Sequence, residues 1–339
     1  MIDTAPRLAQ FFLINTFPIK KHHWLFTLAL IISFVLSACT NSSPTRSAGT
    51  EDKPTSGIAS TSSATPSVTA SSTASVSPRP TSTPTKTVTP TQTSTGTPTP
   101  TILTCIQEAG RVEEGSQRTD LLPLPLAYYV YLPPCYDDQP DRRYPVLYLI
   151  HGQNYNNDQW LRLGAAETAD ALIAAGEIPP LIMVLPRDRS WDQPTENNFG
   201  VVLVEDLVPT IDKNYRTIPG RPWRAVGGLS RGAGWAVHLG LKYWEHFSGI
   251  GAHSLPVFWT DTRHIREWLD EITEGQMPRI YLDIGDKDRQ QIMESAVWFE
   301  KVLTDENIPH IWYLNPGYHE EAYWEAQLEN YIRWYTASW

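Results

Sequence analysis

The sequence predicts an α/β fold for its C-terminal part, with a mostly parallel central sheet covered by helices on both faces. Short apolar runs bounded by Pro or Gly, such as residues 146–150 and 181–185, are typical of strands buried on both faces. Helical stretches alternate with these runs, which indicates parallel strands joined by crossover helices. Residues 102–339 have the length of one large α/β domain.

The strands and helices are predicted in order along this domain. The predicted strands are residues 127–132, 146–150, 181–185, 224–227, 247–252, 279–284 and 310–314. Five helices are predicted. The first ends at residues 172–177, and the others are residues 199–215, 232–244, 290–307 and about 320 to the end. Pro209 should kink the second of these helices. In such a sheet, functional residues gather at the carboxyl ends of the strands.

The N-terminal segment predicts export. Lys20 and Lys21 precede an apolar run, residues 24–38, that is shorter than the ~20 residues of a membrane-spanning helix. The run ends in Leu36-Ser37-Ala38-Cys39, which resembles the lipobox of bacterial lipoproteins. The resemblance implies that residues 1–39 are a signal peptide, that Cys39 is lipidated, and that Thr40 permits display at the outer surface of the cell envelope. The alternative is an ordinary cleavage site with an incidental Cys.

Residues 40–101 are predicted to be a disordered linker. Roughly two-thirds of them are Ser, Thr or Pro, and the segment has no large apolar pattern. Such a composition cannot bury enough surface to offset the entropy of ordering. We therefore expect a tether between the lipid anchor, which would be the chain's only contact with the membrane, and the domain at residues 102–339.

The charge of the domain argues against polyanionic partners. Seven of the 27 basic and three of the 37 acidic residues precede residue 102, which leaves 20 basic against 34 acidic residues and a net charge near -14. A domain of this charge without a Lys/Arg cluster is unsuited to nucleic acid. We expect a monomer whose partner is a small-molecule or polysaccharide substrate.

Two cysteines remain once Cys39 is assigned to the lipid. Cys105 and Cys135 are an even pair in an exported domain, which predicts a disulfide between them; two buried free thiols are the alternative. The Cys and His residues do not have zinc spacing, so we expect neither a metal nor a cofactor.

A G-x-S-x-G pattern, Gly228 to Gly232, lies where a predicted strand passes into a helix. This placement is typical of a nucleophile elbow, in which a tight turn lifts the serine hydroxyl above the helix N-terminus. Ser230 needs a base, and the order of an α/β hydrolase is Ser, acid, His. His319 follows the last predicted strand and is the predicted base, while Asp286 and Asp288 both follow the strand at 279–284 and compete as the acid.

The transition state of acyl transfer also needs donors for its oxyanion. The backbone N–H of Arg231, directly after the serine, is the first, and the N–H of Gln153, in the loop after the strand at 146–150, is the second. His151 in that loop is expected to shape the turn.

Five segments in order resemble the esterase D-like family of α/β hydrolases, which includes feruloyl and acetylxylan esterases, S-formylglutathione hydrolases, enterochelin esterases and mycolyltransferases. The segments are YPVLYLIHG, IDKNYRTIP, AVGGLSRGAGWAVHLGLKY, YLDIGDKD and NPGYHEEAYW. The resemblance implies an α/β-hydrolase fold, and its Gly-x-x-Asp pattern implies that Asp288 is the acid. Arg231 departs from the family's usual Met, and its guanidinium would favour an anionic substrate group.

These residues predict a serine carboxylic-ester hydrolase that works through an acyl-enzyme. Twelve of the 13 tryptophans lie in the domain, and aromatic faces around the site would suit esters of sugars or phenolic acids. The tryptophans expected near the site are Trp160, Trp191, Trp235 and Trp259. The alternatives are an acyltransferase of the same family and a non-catalytic carbohydrate or adhesion module.

Overall fold

The computed structural model describes residues 107–339, which form one eight-stranded sheet in the order β1-β2-β4-β3-β5-β6-β7-β8. The strands are β1 (Arg111–Gln117), β2 (Leu126–Leu132), β3 (Val146–Ile150), β4 (Ile182–Pro186), β5 (Arg224–Leu229), β6 (Gly249–His253), β7 (Arg279–Gly285) and β8 (His310–Asn315). Strands β3 to β8 run parallel, and β2 is antiparallel to both β1 and β4. The predicted, mostly parallel sheet is therefore confirmed.

Helices cover both faces of this sheet. They are α1 (Gln159–Arg162), α2 (Ala165–Ala174), α3 (Phe199–Val202), α4 (Val208–Asn214), α5 (Arg231–Lys242), α6 (Ile265–Glu271), α7 (Gln290–Asp305) and α8 (Glu321–Thr336). Side chains of α4 to α7 pack on one face, and those of α2 and α8 pack on the other. Successive side chains of β3 point to opposite faces of the sheet. Tyr148 and Ile150 therefore join the core under α4 to α7, and Leu147 and Leu149 join the core under α2 and α8.

The helix predicted over residues 199–215 is interrupted before its proline. A π-helical turn, Leu203–Leu207, separates α3 from α4, and Pro209 lies in the first turn of α4. Proline has no N–H to donate and is tolerated in the first turn of a helix. The widened turn therefore accommodates Pro209 where the sequence predicted a kink.

Strand β7 is anchored to its neighbours by a buried polar network. Asp283 on β7 contacts Nδ1 of His253 at 2.6 Å and accepts hydrogen bonds from the hydroxyls of Tyr323 and Tyr331, both at 2.6 Å. Burial raises the pKa of Tyr331 well above its usual value, and the carboxylate of Asp283 adds to this. These contacts join β6 and β7 to α8, so the helix that follows the last strand is held against the sheet.

The predicted signal peptide, the lipidation site Cys39, the linker and Cys105 lie outside the described residues. Cys135 is disulfide-bonded. It is the only cysteine within residues 107–339, so its partner also lies outside them, and the pairing with Cys105 stays a prediction. Between residues 107 and 339, none of the helices has the length and apolar character needed to span a bilayer.

Candidate active site

The loops after three parallel strands bring Ser230, Asp288 and His319 together at the carboxyl edge of the sheet. Ser230 directly follows the central strand β5, Asp288 follows β7, and His319 lies between β8 and α8. A parallel sheet places these strand ends side by side, which is why residues far apart in sequence meet here.

Ser230 sits on a strained turn. Its φ of 52° and ψ of −126° are rare for a residue with a side chain, and its N–H donates to the carbonyl of His253 at 2.8 Å. The two glycines of the motif allow this turn. A Cβ on Gly228 would lie 2.2 Å from the carbonyl of Gly232, and a Cβ on Gly232 would lie 2.1 Å from the carbonyl oxygen of Ile150. The turn therefore presents the Ser230 hydroxyl at the start of α5.

His319 bridges the serine and one of the two candidate carboxylates. Its Nε2 lies 2.9 Å from Oγ of Ser230, and its Nδ1 lies 2.8 and 3.0 Å from the two oxygens of Asp288. The side chain of Asp288 is fully shielded from solvent. Because a carboxylate only accepts hydrogen bonds, Nδ1 carries the imidazole proton and Nε2 is free to accept the serine proton.

Asp286, the other candidate carboxylate, points to a different partner. Its Oδ1 accepts the N–H of Gly317 at 3.0 Å, and its own N–H donates to the carbonyl of Asn315 at 2.7 Å. Asp286 thus ties the β7 loop to the loop that carries His319, and Asp288 is the residue in contact with the imidazole.

Trp324 packs against the other side of His319. The two rings meet edge to face with their centroids 5.0 Å apart, and the indole N–H of Trp324 donates to Oγ of Ser254 at 3.1 Å. This support restricts the imidazole from turning away from Ser230. Although Trp324 lies in the quoted motif around His319, the sequence held no signal for this packing role.

Two residues beside the serine have backbone N–H groups without an acceptor among residues 107–339. They are Gln153 and Arg231, which line the same cavity as Ser230 and His319. The loop that carries Gln153 is fixed by Gln159, whose side-chain oxygen accepts the N–H of Gly152 at 2.8 Å.

His151 shapes the same loop, as the sequence suggested. Its side chain is buried, and its Nε2 accepts the N–H of Asp188 at 3.1 Å while its Nδ1 lies 2.7 Å from the carbonyl of Gly152. Burial lowers the pKa of His151, so the ring stays neutral at physiological pH.

The expectation that the Arg231 guanidinium favours an anionic substrate group is wrong. Its Nε donates to Oδ2 of Asp188 at 2.8 Å, and its Nη2 donates to the carbonyl of Asp192 at 2.6 Å. Only 7% of the Arg231 side chain is exposed, and Asp188, at 3%, also accepts the indole N–H of Trp235 at 2.7 Å. The charge is neutralised inside the protein, so this arginine joins α5 to the loop after β4.

Replacing Arg231 with leucine should lower the free energy of unfolding by about 3 kcal/mol, because Asp188 would be left buried without its cation. Urea unfolding followed by fluorescence measures this loss. A second substitution, Asp188→Asn, removes the stranded charge and should restore part of the stability. A single variant as stable as the parent would contradict the buried pairing.

Two of the four tryptophans expected around the site belong to the core. Trp160 and Trp235 are almost fully buried, and the indole of Trp160 donates to the carbonyl of Ile150. Trp191 and Trp259 are 66% and 67% exposed. The buried Trp160 and Trp235 lie in helices α1 and α5, whereas the exposed Trp191 and Trp259 lie in loops.

A cavity of about 300 Å³ opens above Ser230. Pro256, Ile292 and Trp324 give it apolar lining, and Gln153, Tyr155 and Arg289 give it polar lining. Among the described residues, no group of three or more His, Cys, Asp or Glu side chains is arranged to hold a metal ion. The arrangement can activate a serine hydroxyl and stabilise a negative charge beside it.

Curated proteins are similar in sequence to part of this chain. A 121-residue segment is 38% identical to an endo-1,4-beta-xylanase/feruloyl esterase of Xylanibacter ruminicola, covering 32% of this chain and 17% of that protein. A 127-residue segment is 33% identical to an esterase of Mycobacterium tuberculosis, covering 34% of this chain and 26% of that protein. The matched segment thus spans about a quarter or less of these curated relatives.

Solved structures share the fold over most of the described residues. A ferulic acid esterase superposes with a TM-score of 0.61 at 24% identity, covering 68% of this chain and 99% of its own. A CE1 ferulic acid esterase of Anaeromyces mucronatus, in complex with ferulic acid, gives a TM-score of 0.56 at 20% identity, with 68% and 92% covered. These neighbours confirm the predicted α/β-hydrolase fold.

The family model named Esterase matches residues 122–335, which include β2 to β8 and all three residues of the Ser230, His319 and Asp288 constellation. The match spans more than half of the chain and agrees with the resemblance found in the five sequence segments. The chain therefore belongs to the Esterase family.

Proposed function

We propose that this protein is a serine carboxylic-ester hydrolase in which Ser230 is the nucleophile, His319 the general base and Asp288 the acid that orients the base. The observation that carries the proposal is the continuous contact from the Ser230 hydroxyl through His319 to the shielded Asp288 carboxylate. Membership of the Esterase family and the esterase fold of the structural neighbours support the same reaction.

The reaction proceeds in two steps. Nε2 of His319 takes the proton of Ser230 as Oγ attacks the ester carbonyl, and the same proton then passes to the leaving alcohol. Water attacks the acyl-enzyme in the second step, with His319 again acting as the base. Asp288 holds the proton on Nδ1 throughout and stabilises the imidazolium when it forms.

The N–H groups of Arg231 and Gln153 serve as the oxyanion hole of this proposal. Both residues line the cavity above Ser230, and neither N–H donates to an acceptor among the described residues. Arg231 is the first residue of α5, so the positive end of the helix dipole adds to its effect.

Esters of carbohydrates or phenolic acids are the proposed substrates. The apolar lining of Pro256, Ile292 and Trp324 suits a flat or small acyl group, and the relatives that share the fold include a ferulic acid esterase. An acyltransferase would use the same acyl-enzyme with a sugar hydroxyl in place of water. The complete Ser, His and Asp constellation argues against a non-catalytic binding module.

Hydrolysis of p-nitrophenyl acetate, p-nitrophenyl butyrate and methyl ferulate by the purified protein tests the proposal. We expect turnover of at least one ester, and the ratio of ferulate to acetate rates measures the fit of a phenolic acyl group. Product analysis with added acceptor sugars separates hydrolysis from transfer. No turnover by folded protein, with or without an acceptor, would contradict the proposed reaction.

We further propose that the enzyme acts at the outer surface of a bacterial envelope, held by a lipid on Cys39 and a tether of residues 40–101. Changing Cys39 to serine should abolish incorporation of a fatty-acid probe and release the protein from the membrane fraction. Cys135→Ser is the matched control and should leave the labelling intact. Equal labelling of the parent and Cys39→Ser would exclude this anchor.

A further inference from the structure

A second cleft adjoins the cavity above Ser230. It is lined by two loops, residues 153–156 after β3 and residues 187–191 after β4, and has a volume of about 420 Å³. We call it the arginine cleft. Gln153, Asn154 and Tyr155 line both the arginine cleft and the cavity above Ser230, so a substrate bound at the serine can extend into the cleft.

Two arginines bring positive charge to this cleft. Arg187 and Arg189 both line it, and neither forms an ion pair with an acidic side chain within residues 107–339. Burial lowers the pKa of Arg189, and the positive charge of Arg187 adds to this. Such an arrangement lowers its energy when an anion binds between them.

Two acidic side chains near the arginines are paired with other cations, and the carboxylate of Asp192 accepts the hydroxyl of Ser190 at 2.7 Å. Asp188, between the two arginines in sequence, is paired with Arg231 at 2.8 Å. Asp158 is paired with Arg162 at 3.2 Å. The Nη1 of Arg189 donates to the carbonyl of Pro125 at 2.9 Å, and its other N–H groups have no acceptor in the part of the chain that the structure describes.

The remaining lining of the cleft suits a sugar. Trp191 is 66% exposed and Tyr155 is 42% exposed, so aromatic faces are open to solvent at the cleft. The amide side chains of Gln153, Asn154 and Asn156 lie beside them. Aromatic faces pack on the apolar face of a pyranose, and amides pair with its hydroxyls, while neither group supplies charge.

We propose that the arginine cleft binds a carboxylate-bearing sugar residue of the substrate, so that the enzyme acts on esters attached to an acidic carbohydrate. The inference rests on the proposed ester hydrolysis at Ser230 and adds to it the chemical class of the group that carries the ester. The carboxylate pairs with Arg187 and Arg189, and the ring packs on Trp191. A singly charged carboxylate is favoured over a phosphate because the whole domain carries a net charge near -14, which repels a dianion more strongly.

Binding of three matched disaccharides to the purified protein tests this inference by titration calorimetry. The probes are cellobiose, the same disaccharide with one CH₂OH oxidised to a carboxylate, and its 6-phosphate at the same position. We expect the carboxylate to bind about tenfold more tightly than cellobiose, and the preference to shrink at high salt. Equal affinity for the acid and cellobiose, no binding of either, or tighter binding of the phosphate would overturn the inference.

Variants separate charge recognition from ring packing. Arg187→Gln and Arg189→Gln should each remove most of the preference for the carboxylate, whereas Trp191→Ala should weaken the neutral and acidic disaccharides by a similar factor. Arg263→Gln removes the charge of an exposed arginine outside the cleft and should keep the preference. A carboxylate preference that survives in both Arg187→Gln and Arg189→Gln would contradict the assignment.

Hydrolysis of p-nitrophenyl acetate by the same preparations tests the underlying reaction separately. This ester carries neither a sugar nor a carboxylate, so its turnover by the parent protein reports the reaction at Ser230 alone. Turnover without carboxylate preference would reject the cleft and keep the esterase. Carboxylate preference without turnover would reject the esterase and keep the cleft as a binding site.

Discussion

Replacing Ser230 with alanine is expected to lower kcat for p-nitrophenyl acetate by about 10⁵-fold. The alanine variant keeps the backbone of the turn but has no oxygen to attack the carbonyl, and His319 then has no proton to accept. The residual rate would come from direct attack of water on the bound ester, whose oxyanion the N–H donors still stabilise. Steady-state kinetics together with trapping of the acyl-enzyme by mass spectrometry measures both the rate and the covalent intermediate.

Ser248→Ala is the matched control for this substitution. Ser248 lies just before β6, at the opposite end of the sheet, and its Oγ donates to the carbonyl of Pro222 at 3.2 Å. The control variant should keep parental kinetics. If Ser230→Ala retained more than a few per cent of the parental kcat while remaining folded, another residue would have to be the nucleophile.

The sheet was predictable because a strand buried on both faces appears in the sequence as a continuous apolar run. Strands β3 and β4 are fully buried and appear as continuous apolar runs. β1 was missed because it is an edge strand whose residues are mostly exposed and include Arg111, Glu113 and Glu114. Its backbone pairing with β2 leaves no apolar pattern to detect.

The order of Ser230, Asp288 and His319 was predictable because each follows a recognisable strand. Spacing from the residues alone left Asp286 and Asp288 equivalent, since the direction of a side chain in a tight loop depends on contacts with another loop. Arg231 and Asp188 are 43 positions apart, so no local sequence pattern indicates that they pair. The Arg231 charge that was predicted to bind substrate therefore forms an ion pair inside the protein.

The arginine cleft also depends on this non-local pairing. By sequence, Arg187, Asp188 and Arg189 form a run with alternating charges, which is typical of a solvated loop. In the structure Asp188 turns inward to Arg231, so the loop presents two cations without the acid between them. A local excess of positive charge thus arises on an acidic domain, and composition alone could not show it.

Changing Asp288 to asparagine is expected to lower kcat by about 10³- to 10⁴-fold, because the amide NH₂ would face Nδ1 of His319 and favour the tautomer that cannot accept the serine proton. Asp286→Asn is the matched variant two positions away and should cost less than about tenfold, since the asparagine carbonyl can still accept the N–H of Gly317. Steady-state kinetics on p-nitrophenyl acetate compares the two. A larger loss in Asp286→Asn than in Asp288→Asn, with both variants folded, would show that the carboxylate in contact with His319 is not the one that orients it during the reaction.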